Sequence, residues 1–221
     1  MSKDLVIFGT GGFAREVHQL VEDLNRDSTR WNFLGFLDGN PERHGVEVHG
    51  FPVLGDLDWL GEHQKESLII AVGSTVVRRK LVHQVRERYG NSFATLVHPL
   101  AWIGNRVALG EGSIVCAGTL ITTDIQIGQH VILNLDCTVG HDAQIEDFVT
   151  VAPSVNISGN VRVGQGSDLG TGSAIIQNVQ IGNWTIVGAG SVVVRDLPAN
   201  VTAVGVPAKP IKEHPEGWYK E

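Results

Sequence analysis

His141 is followed at once by Asp142, directly after Val139-Gly140. A carboxylate beside an imidazole fixes the tautomer of the ring and raises its basicity, which is what a general base needs. A solvated loop histidine is the plain alternative. The chain holds nine histidines, and others read as ordinary. His18, His63 and His83 lie in helical patterns among polar neighbours and are expected to be solvated, and His130 sits between turn residues. A metal centre is not predicted, because no cysteine or second histidine recurs at a spacing that brings another ligand to the height of His141.

A second group of residues suits anion binding. Leu5-Val6-Ile7-Phe8 ends in Gly9-Thr10-Gly11-Gly12, Phe33–Leu37 ends in Asp38-Gly39, and Leu68–Val72 ends in Gly73-Ser74. Each apolar run is of the buried-strand type. The first is followed by a helical stripe of Phe13, Val17, Leu20, Val21 and Leu24. The third is followed by a stripe of Val77, Leu81, Val82, Val85 and Tyr89, opposite Arg78, Arg79, Lys80, Arg86 and Arg88. A last run, Phe93 to Val97, leads through His98-Pro99 into the second half of the chain. Strands alternating with helices indicate a small parallel α/β sheet, a Rossmann-like half unit. Ligands bind such sheets beyond the carboxyl ends of the strands, so Gly11, Gly12, Asp38, Gly39 and Gly73 are expected to converge. The glycines admit backbone N–H groups to a phosphate at a helix N-terminus, although glycine-rich turns of this kind also serve purely structural ends. Asp38 suits a ribose or base, or caps the next turn.

The element that must position His141 is a strict period of six. From Ile103 through Leu109, Val115 and Ile121 to Val187 and Val193, every sixth residue is aliphatic. Glycine follows at half of these positions, among them Gly104, Gly128, Gly140 and Gly188, and small or β-branched residues lie four past nearly throughout. Neither a helix nor a hairpin has this period. A solenoid has it, if one hexad forms one flat side and three hexads close a triangular coil, stacked at about the 4.8 Å spacing of paired strands. The aliphatic then points inward, and the following glycine is expected at the corner, where backbone freedom is needed. Residues 18 apart share an edge, so His141 lies between Thr123 and Gly159, leaving open space on one side of its ring. Asp142 lies between Asp124 and Asn160, a polar ladder. Three segments result: 1–98, 99–197 and a tail, 198–221.

Net charge is −7, and no basic run is present, which argues against a nucleic-acid binder. No apolar stretch approaches a bilayer span, and Met1-Ser2-Lys3-Asp4 leads straight into a strand without a signal-peptide pattern. With Cys116 and Cys137 as the two cysteines, a soluble cytoplasmic protein with reduced thiols is expected. A dinucleotide-dependent dehydrogenase or dehydratase is disfavoured, since neither Tyr89 nor Tyr219 has the TyrxxxLys spacing. A non-catalytic trimeric β-helix serving as a sugar-binding scaffold stays open.

Ile7-Phe8-Gly9-Thr10-Gly11-Gly12, the Ile69–Gly73 strand, Ile132-Leu133-Asn134 leading to Gly140-His141-Asp142, and Gly205-Val206-Pro207-Ala208-Lys209-Pro210 together resemble one family. It comprises the bacterial hexapeptide-repeat sugar acetyltransferases with an N-terminal α/β domain, which N-acetylate nucleotide-linked 4-amino-4,6-dideoxysugars. The resemblance covers nearly the whole chain. It implies a left-handed parallel β-helix, a homotrimer, acetyl-CoA as co-substrate and a place in O-antigen or other surface-polysaccharide biosynthesis. His141 would be the base and Asp142 its tuning partner. Gly11, Gly12, Phe13, Asp38, Gly39 and Gly73 would hold the nucleotide-sugar. Thr150, Thr171, Gly188 and Ala189 would line the coenzyme groove, with Lys209 near the outer end of the coenzyme. Some relatives have Glu in place of Asp142, and some have His in place of Thr150. A hydroxyl in place of the amine as acetyl acceptor is not distinguished by the hexad.

Overall fold

Backbone hydrogen bonds run from coil to coil through the repeat: the Gly128 N–H donates to Ile145 O, Gly140 to Ile157 O, and Thr150 to Ser167 O, each at 2.8–3.0 Å. In the computed structural model, which describes residues 2–220, these ladders build three parallel sheets. Met1, read with the N-terminal run, and Glu221 lie outside the described residues. Face one holds Trp102–Ile103, Leu120–Ile121, Thr138–Val139, Asn156–Ile157, Ala174–Ile175 and Val192–Val193. Face two holds Val107–Leu109, Ile125–Ile127, Gln144–Ile145, Arg162–Val163 and Gln180–Ile181. Face three starts earlier than the hexad column suggested, at Leu96–Val97, and continues through Ile114–Val115, Ile132–Leu133, Thr150–Val151, Asp168–Leu169 and Ile186–Val187. Partners in each sheet are 18 residues apart, as in Leu120↔Thr138 and Thr138↔Asn156. The β-helix is therefore as the period predicts.

From Val115 to Val193 no inward aliphatic is more than 4 % exposed. A second inward column, four residues past each aliphatic, is buried from Ser113 onward, and the next coil satisfies most of its hydroxyls, while Ser173 Oγ is buried without a hydrogen-bond partner. Ser113 Oγ donates to Gly128 O and accepts from Val131 N–H; Ser167 Oγ does the same with Gly182 O and Thr185 N–H. Cys116 and Cys137 are free and buried, and burial pushes the Cys137 thiol up to about 11.

The corners differ from expectation. The left-handed backbone falls three residues past the aliphatic, at every such position from Arg106 (φ 59°) through Asp142 (φ 61°) and Asn160 (φ 56°) to Gly190 (φ 67°). The glycines directly after the aliphatics serve close approach instead. A Cβ on Gly110 would lie 2.4 Å from the carbonyl carbon of Gly128, and one on Gly128 would lie 2.7 Å from the nitrogen of Asp147. Stacked coils bring backbone against backbone at that point, and no side chain fits.

The chain divides into two compact units between Leu96 and Val97. The first is a five-stranded sheet: β1 (Lys3–Phe8), β2 (Trp31–Leu37), β3 (Glu47–Val48), β4 (Phe51–Gly55) and β5 (Ser67–Ile70), in the order β3-β4-β2-β1-β5. It is parallel except for β3. Helices α1 (Gly12–Leu24) and α2 (Thr75–Arg88) follow β1 and β5. The Phe93–Val97 run does not form a strand of this sheet: Phe93 makes one bridge to Leu68, and Leu96–Val97 already belongs to face three. The segment after residue 197 forms Val201–Gly205, which pairs parallel to Ile186–Val187, and Ala208–Glu213, which folds back antiparallel on it. Among the described residues no helix is long and apolar enough to cross a membrane.

Two polar side chains are buried against expectation. Arg78 is 1 % exposed while Val77 faces outward. The guanidinium finds acceptors at the end of β5, donating to Val72 O (2.8 Å) and Gly73 O (3.0 Å). His18 is also 1 % exposed, among Phe33, Phe36 and Phe51, with its Nδ1 3.4 Å from Nδ1 of His49. Burial pushes His18 below its ordinary value; Glu22 opposes that shift and His49 adds to it.

Two outcomes are expected from this packing. Gly110→Ala should cost about 1–3 kcal/mol in urea unfolding by overpacking the coil interface, whereas Ser154→Gly, at φ 60°, should leave stability unchanged or raised, since the left-handed region disfavours a Cβ. Equal losses in the two variants would contradict this division of roles. For His18, the unfolded chain binds a proton that the folded unit refuses, so stability is present above the ordinary value of 6.5 and is lost as pH falls below it. Unfolding midpoints measured downward from neutral pH should show that slope, and His18→Phe should flatten it.

Candidate active site

Strand Thr138–Val139 of face one delivers the chain into the turn that holds His141, at the corner before Gln144–Ile145 of face two. The turn is tied to both neighbouring coils: Asp142 N–H donates to Thr123 O (3.2 Å), and His141 O accepts from Asn160 N–H (2.7 Å). The side chains nevertheless face solvent, 67 % exposed for His141 and 60 % for Asp142. Asp142 Oδ2 lies 2.7 Å from His141 Nδ1. A carboxylate only accepts, so Nδ1 bears the proton, and the lone pair of the neutral ring sits on Nε2.

The neighbours of the pair depart from the expected columns. The space that Gly159 leaves is taken by the imidazole itself, since a Cβ added at Gly159 would be 2.6 Å from Nε2, while the rest of the ring stays open to solvent. The aspartate ladder is broken into separate pairs. Arg106 binds Asp124 (Nε to Oδ1, 2.6 Å), and Asn160 donates to Asn178 Oδ1 (2.8 Å), while Asp142 turns to His141. The hydrogen bond from Arg106, then that from Thr123, holds the Asp124 carboxyl below its usual range. Asp124 is thereby committed one coil away, and Asp142 is the carboxylate that serves the histidine. Among the described residues no group of three His, Cys, Asp or Glu is placed to hold a metal ion.

Thr171 and Ala189 stand 18 apart and exposed on the corner between faces three and one, with Gly188 beside them; Gly190 N–H donates to Thr171 O (2.8 Å). Thr150 is buried on face three. Lys209 is exposed on Ala208–Glu213 and pairs with Val204, whose Cγ1 would lie 2.7 Å from a Cβ on Gly188. These residues gather along one edge of the prism. His141 is on another edge, between faces one and two, so face one separates the two sets within a single chain.

In the first unit, β1 lies between β2 and β5, so the three strands end side by side. Gly9 N–H donates to Leu37 O and Ala71 N–H to Phe8 O. Gly9 has φ +117°, and a Cβ there would lie 3.0 Å from Ala71 O, so glycine is required. Gly11 caps α1 without a side chain, Gly12 opens the helix, and Phe13 is half-buried behind them. Thr10 Oγ1 donates to Asp38 Oδ2, joining the first turn to the second. Asp38 Oδ1 accepts from Asn40 N–H (2.9 Å), and Asp38 O lies 2.9 Å from His44 Nε2. Gly39 is exposed beside it, and Ser74 caps α2 after Gly73. Of the residues that hold these turns, Thr10, His44 and Arg78, none carries a signal of that role in its spacing. The one sequence signal for Thr10 is its place inside the glycine run; the inward turn of Arg78 has no periodic signal.

The family profile described as the PglD N-terminal domain matches residues 4–85. Over 216 residues the chain is 29 % identical to GDP-perosamine N-acetyltransferase of Escherichia coli O157:H7, spanning 95 % of this chain and 96 % of that one. It is similar to a mutant of the perosamine N-acetyltransferase of Caulobacter crescentus solved in complex with CoA and GDP-perosamine, at 38 % identity and a TM-score of 0.87, over 95 % of this chain and 97 % of that one. It is also similar to the acetyltransferase domain of PglB from Neisseria gonorrhoeae in complex with acetyl coenzyme A, at 30 % identity and a TM-score of 0.86, over 96 % and 100 %. With identity at this level across both units, the chain belongs to the acetyl-CoA-dependent nucleotide-sugar N-acetyltransferases that join a PglD-type N-terminal domain to a left-handed β-helix of hexapeptide repeats.

Proposed function

We propose that the protein transfers the acetyl group of acetyl-CoA to the 4-amino group of a nucleotide-linked 4-amino-4,6-dideoxysugar, with GDP-perosamine as the acceptor. The observation that carries this reading is the 2.7 Å His141–Asp142 pair, held rigidly by its backbone yet open to solvent on a corner of the β-helix. The relative solved with CoA and GDP-perosamine supports the choice of substrates. Acetyl-CoA supplies the activated acetyl thioester. His141 Nε2 accepts the proton that the sugar amine loses as it bonds to the acetyl carbon, and the imidazolium returns a proton to the departing thiolate. Asp142 stabilises that imidazolium through Nδ1–H. No covalent enzyme intermediate is needed. The glycine turns Gly11-Gly12 and Gly73, with Phe13, Asp38 and Gly39, hold the nucleotide, and proximity of amine to thioester is a large part of the rate.

The edge of Thr171, Gly188 and Ala189 is the coenzyme side, with Thr150 and Lys209 near it. Since face one lies between that edge and His141 in one chain, the complete site is assembled from two copies, in a trimer. Exposed Trp102 and Leu120 on face one, with Ile176 and Val194 at its border, supply an apolar surface for that contact. The reading places the protein in the cytoplasm, in surface-polysaccharide biosynthesis.

Thiol release from acetyl-CoA with a panel of GDP-, UDP- and dTDP-linked 4-aminosugars tests the reaction, with turnover expected for the GDP sugar. His141→Asn should lower kcat by about 10²–10⁴-fold, the usual worth of a general base, with little change in affinity for either substrate. Wild-type turnover by a folded His141→Asn protein would remove His141 from the chemistry. For the assembly, light scattering should give three times the 23.8 kDa chain. Co-expressing His141→Asn with Ala189→Trp chains, each strongly impaired alone, should restore activity in mixed trimers; a monomer mass would overturn the shared site.

A further inference from the structure

We infer that Gly159 is a positioning residue whose missing side chain gives the His141 imidazole its place; this rests on the reading of His141 as the base. The corner position two past each inward aliphatic runs from Asn105 to Arg195, and Gly159 is the one glycine in that column. Glycine at a corner ordinarily answers one of two needs, and neither applies here. Gly159 does not have a positive φ; that burden falls on its neighbour Asn160. Nor would a Cβ on Gly159 meet backbone first, as one on Gly140 would, 2.6 Å from Gly159 N and 2.7 Å from Ser158 C in the coil beside it.

The three atoms nearest an added Cβ on Gly159 all belong to the catalytic ring: His141 Nε2 at 2.6 Å, Cε1 at 2.7 Å and Cδ2 at 3.1 Å. The edge of the imidazole that bears the basic nitrogen thus rests on the bare Cα of the next coil. That coil is held at fixed height, because Asn160 N–H donates to His141 O (2.7 Å) and Asn178 N–H donates to Gly159 O (3.1 Å). Asp142 fixes the ring at Nδ1, and Gly159 limits it on the opposite edge. Two restraints on one ring define where Nε2 points, which is the preorganisation a proton acceptor requires. A methyl group at residue 159 is met most cheaply by rotation of the histidine side chain and not by movement of the coil, so its cost falls on chemistry and not on folding.

Gly159→Ala should therefore lower kcat by about 10²-fold, the scale of a 1 Å misplacement of a reacting group, with KM for both substrates and the thermal midpoint unchanged. In a His141→Asn background the same substitution should cost nothing further, since the ring it displaces is gone. Histidine-labelled NMR supplies a readout that does not depend on turnover: the His141 Cε1–H resonance should move in Gly159→Ala while those of the other histidines stay. Full activity with an unmoved resonance overturns the assignment. A lowered thermal midpoint, or a loss equal in both backgrounds, overturns it as well by making the glycine structural. Failure of the general-base reading looks different: His141→Asn itself would keep wild-type turnover, and the resonance shift would still decide whether Gly159 places the ring.

Discussion

Every coil of the second unit is hydrogen-bonded to the coils above and below it at a spacing of 18 residues, and that ladder sets the position of everything else. A residue's place in its hexad decides its corner and face, and its coil decides its height. The apolar columns cannot be buried by one coil alone, so each turn depends on its neighbours. The consequence is an end that must be closed. Val201–Gly205 extends face three in parallel, and Ala208–Glu213 then turns back antiparallel, replacing a bare stacking edge with a hairpin whose polar strand includes Lys209 and Lys212. Trp184 of the last coils stacks on Tyr219 at 3.9 Å, fastening the chain end to the same unit.

The ladder reconciles two demands that usually conflict. A general base, the role proposed for His141, must be solvent-accessible to meet its substrate and rigid enough to meet it in one geometry. At His141 the backbone is immobilised by bonds to two coils, the ring is restrained at Nδ1 by Asp142 and at the other edge by Gly159, and two-thirds of the side chain is still open. No loop is needed to present it. The same geometry separates the histidine edge from the edge of Thr171 and Ala189 by a full face.

The first unit meets its own demand by other means. Its turns carry exposed glycines at the ends of three adjacent strands, and side chains behind them hold the turns in place. Thr10 ties the β1 turn to Asp38, and Arg78 draws in the carbonyls of Val72 and Gly73. In a trans peptide the C=O and the following N–H point in opposite directions. Pulling these carbonyls inward therefore turns the N–H groups of Gly73 and Ser74 the other way. A buried guanidinium is tolerated because it is hydrogen-bonded, which is the condition for burying any charge.

What could be read from the residues alone was whatever repeats or stands adjacent along the chain. The hexad column determined the β-helix, since a period of six admits no other regular structure. The alternation of apolar runs and glycine turns determined the α/β unit, and adjacency singled out His141-Asp142. Contacts between residues distant in sequence were decided only in three dimensions. Which hexad position takes the left-handed corner depends on how closely stacked coils approach, so the glycines next to the aliphatics proved to be spacers. Hydropathy put Arg78 and His18 outside; a pair of strand-end carbonyls and a cage of three phenylalanines put them inside. Pro52 and Gly55 interrupt the apolar pattern of β4, yet that strand needs only partial pairing beside β2. Gly159 looked like empty space beside His141 in the column, and only the direction of the ring, set by Asp142, turned that space into a seat.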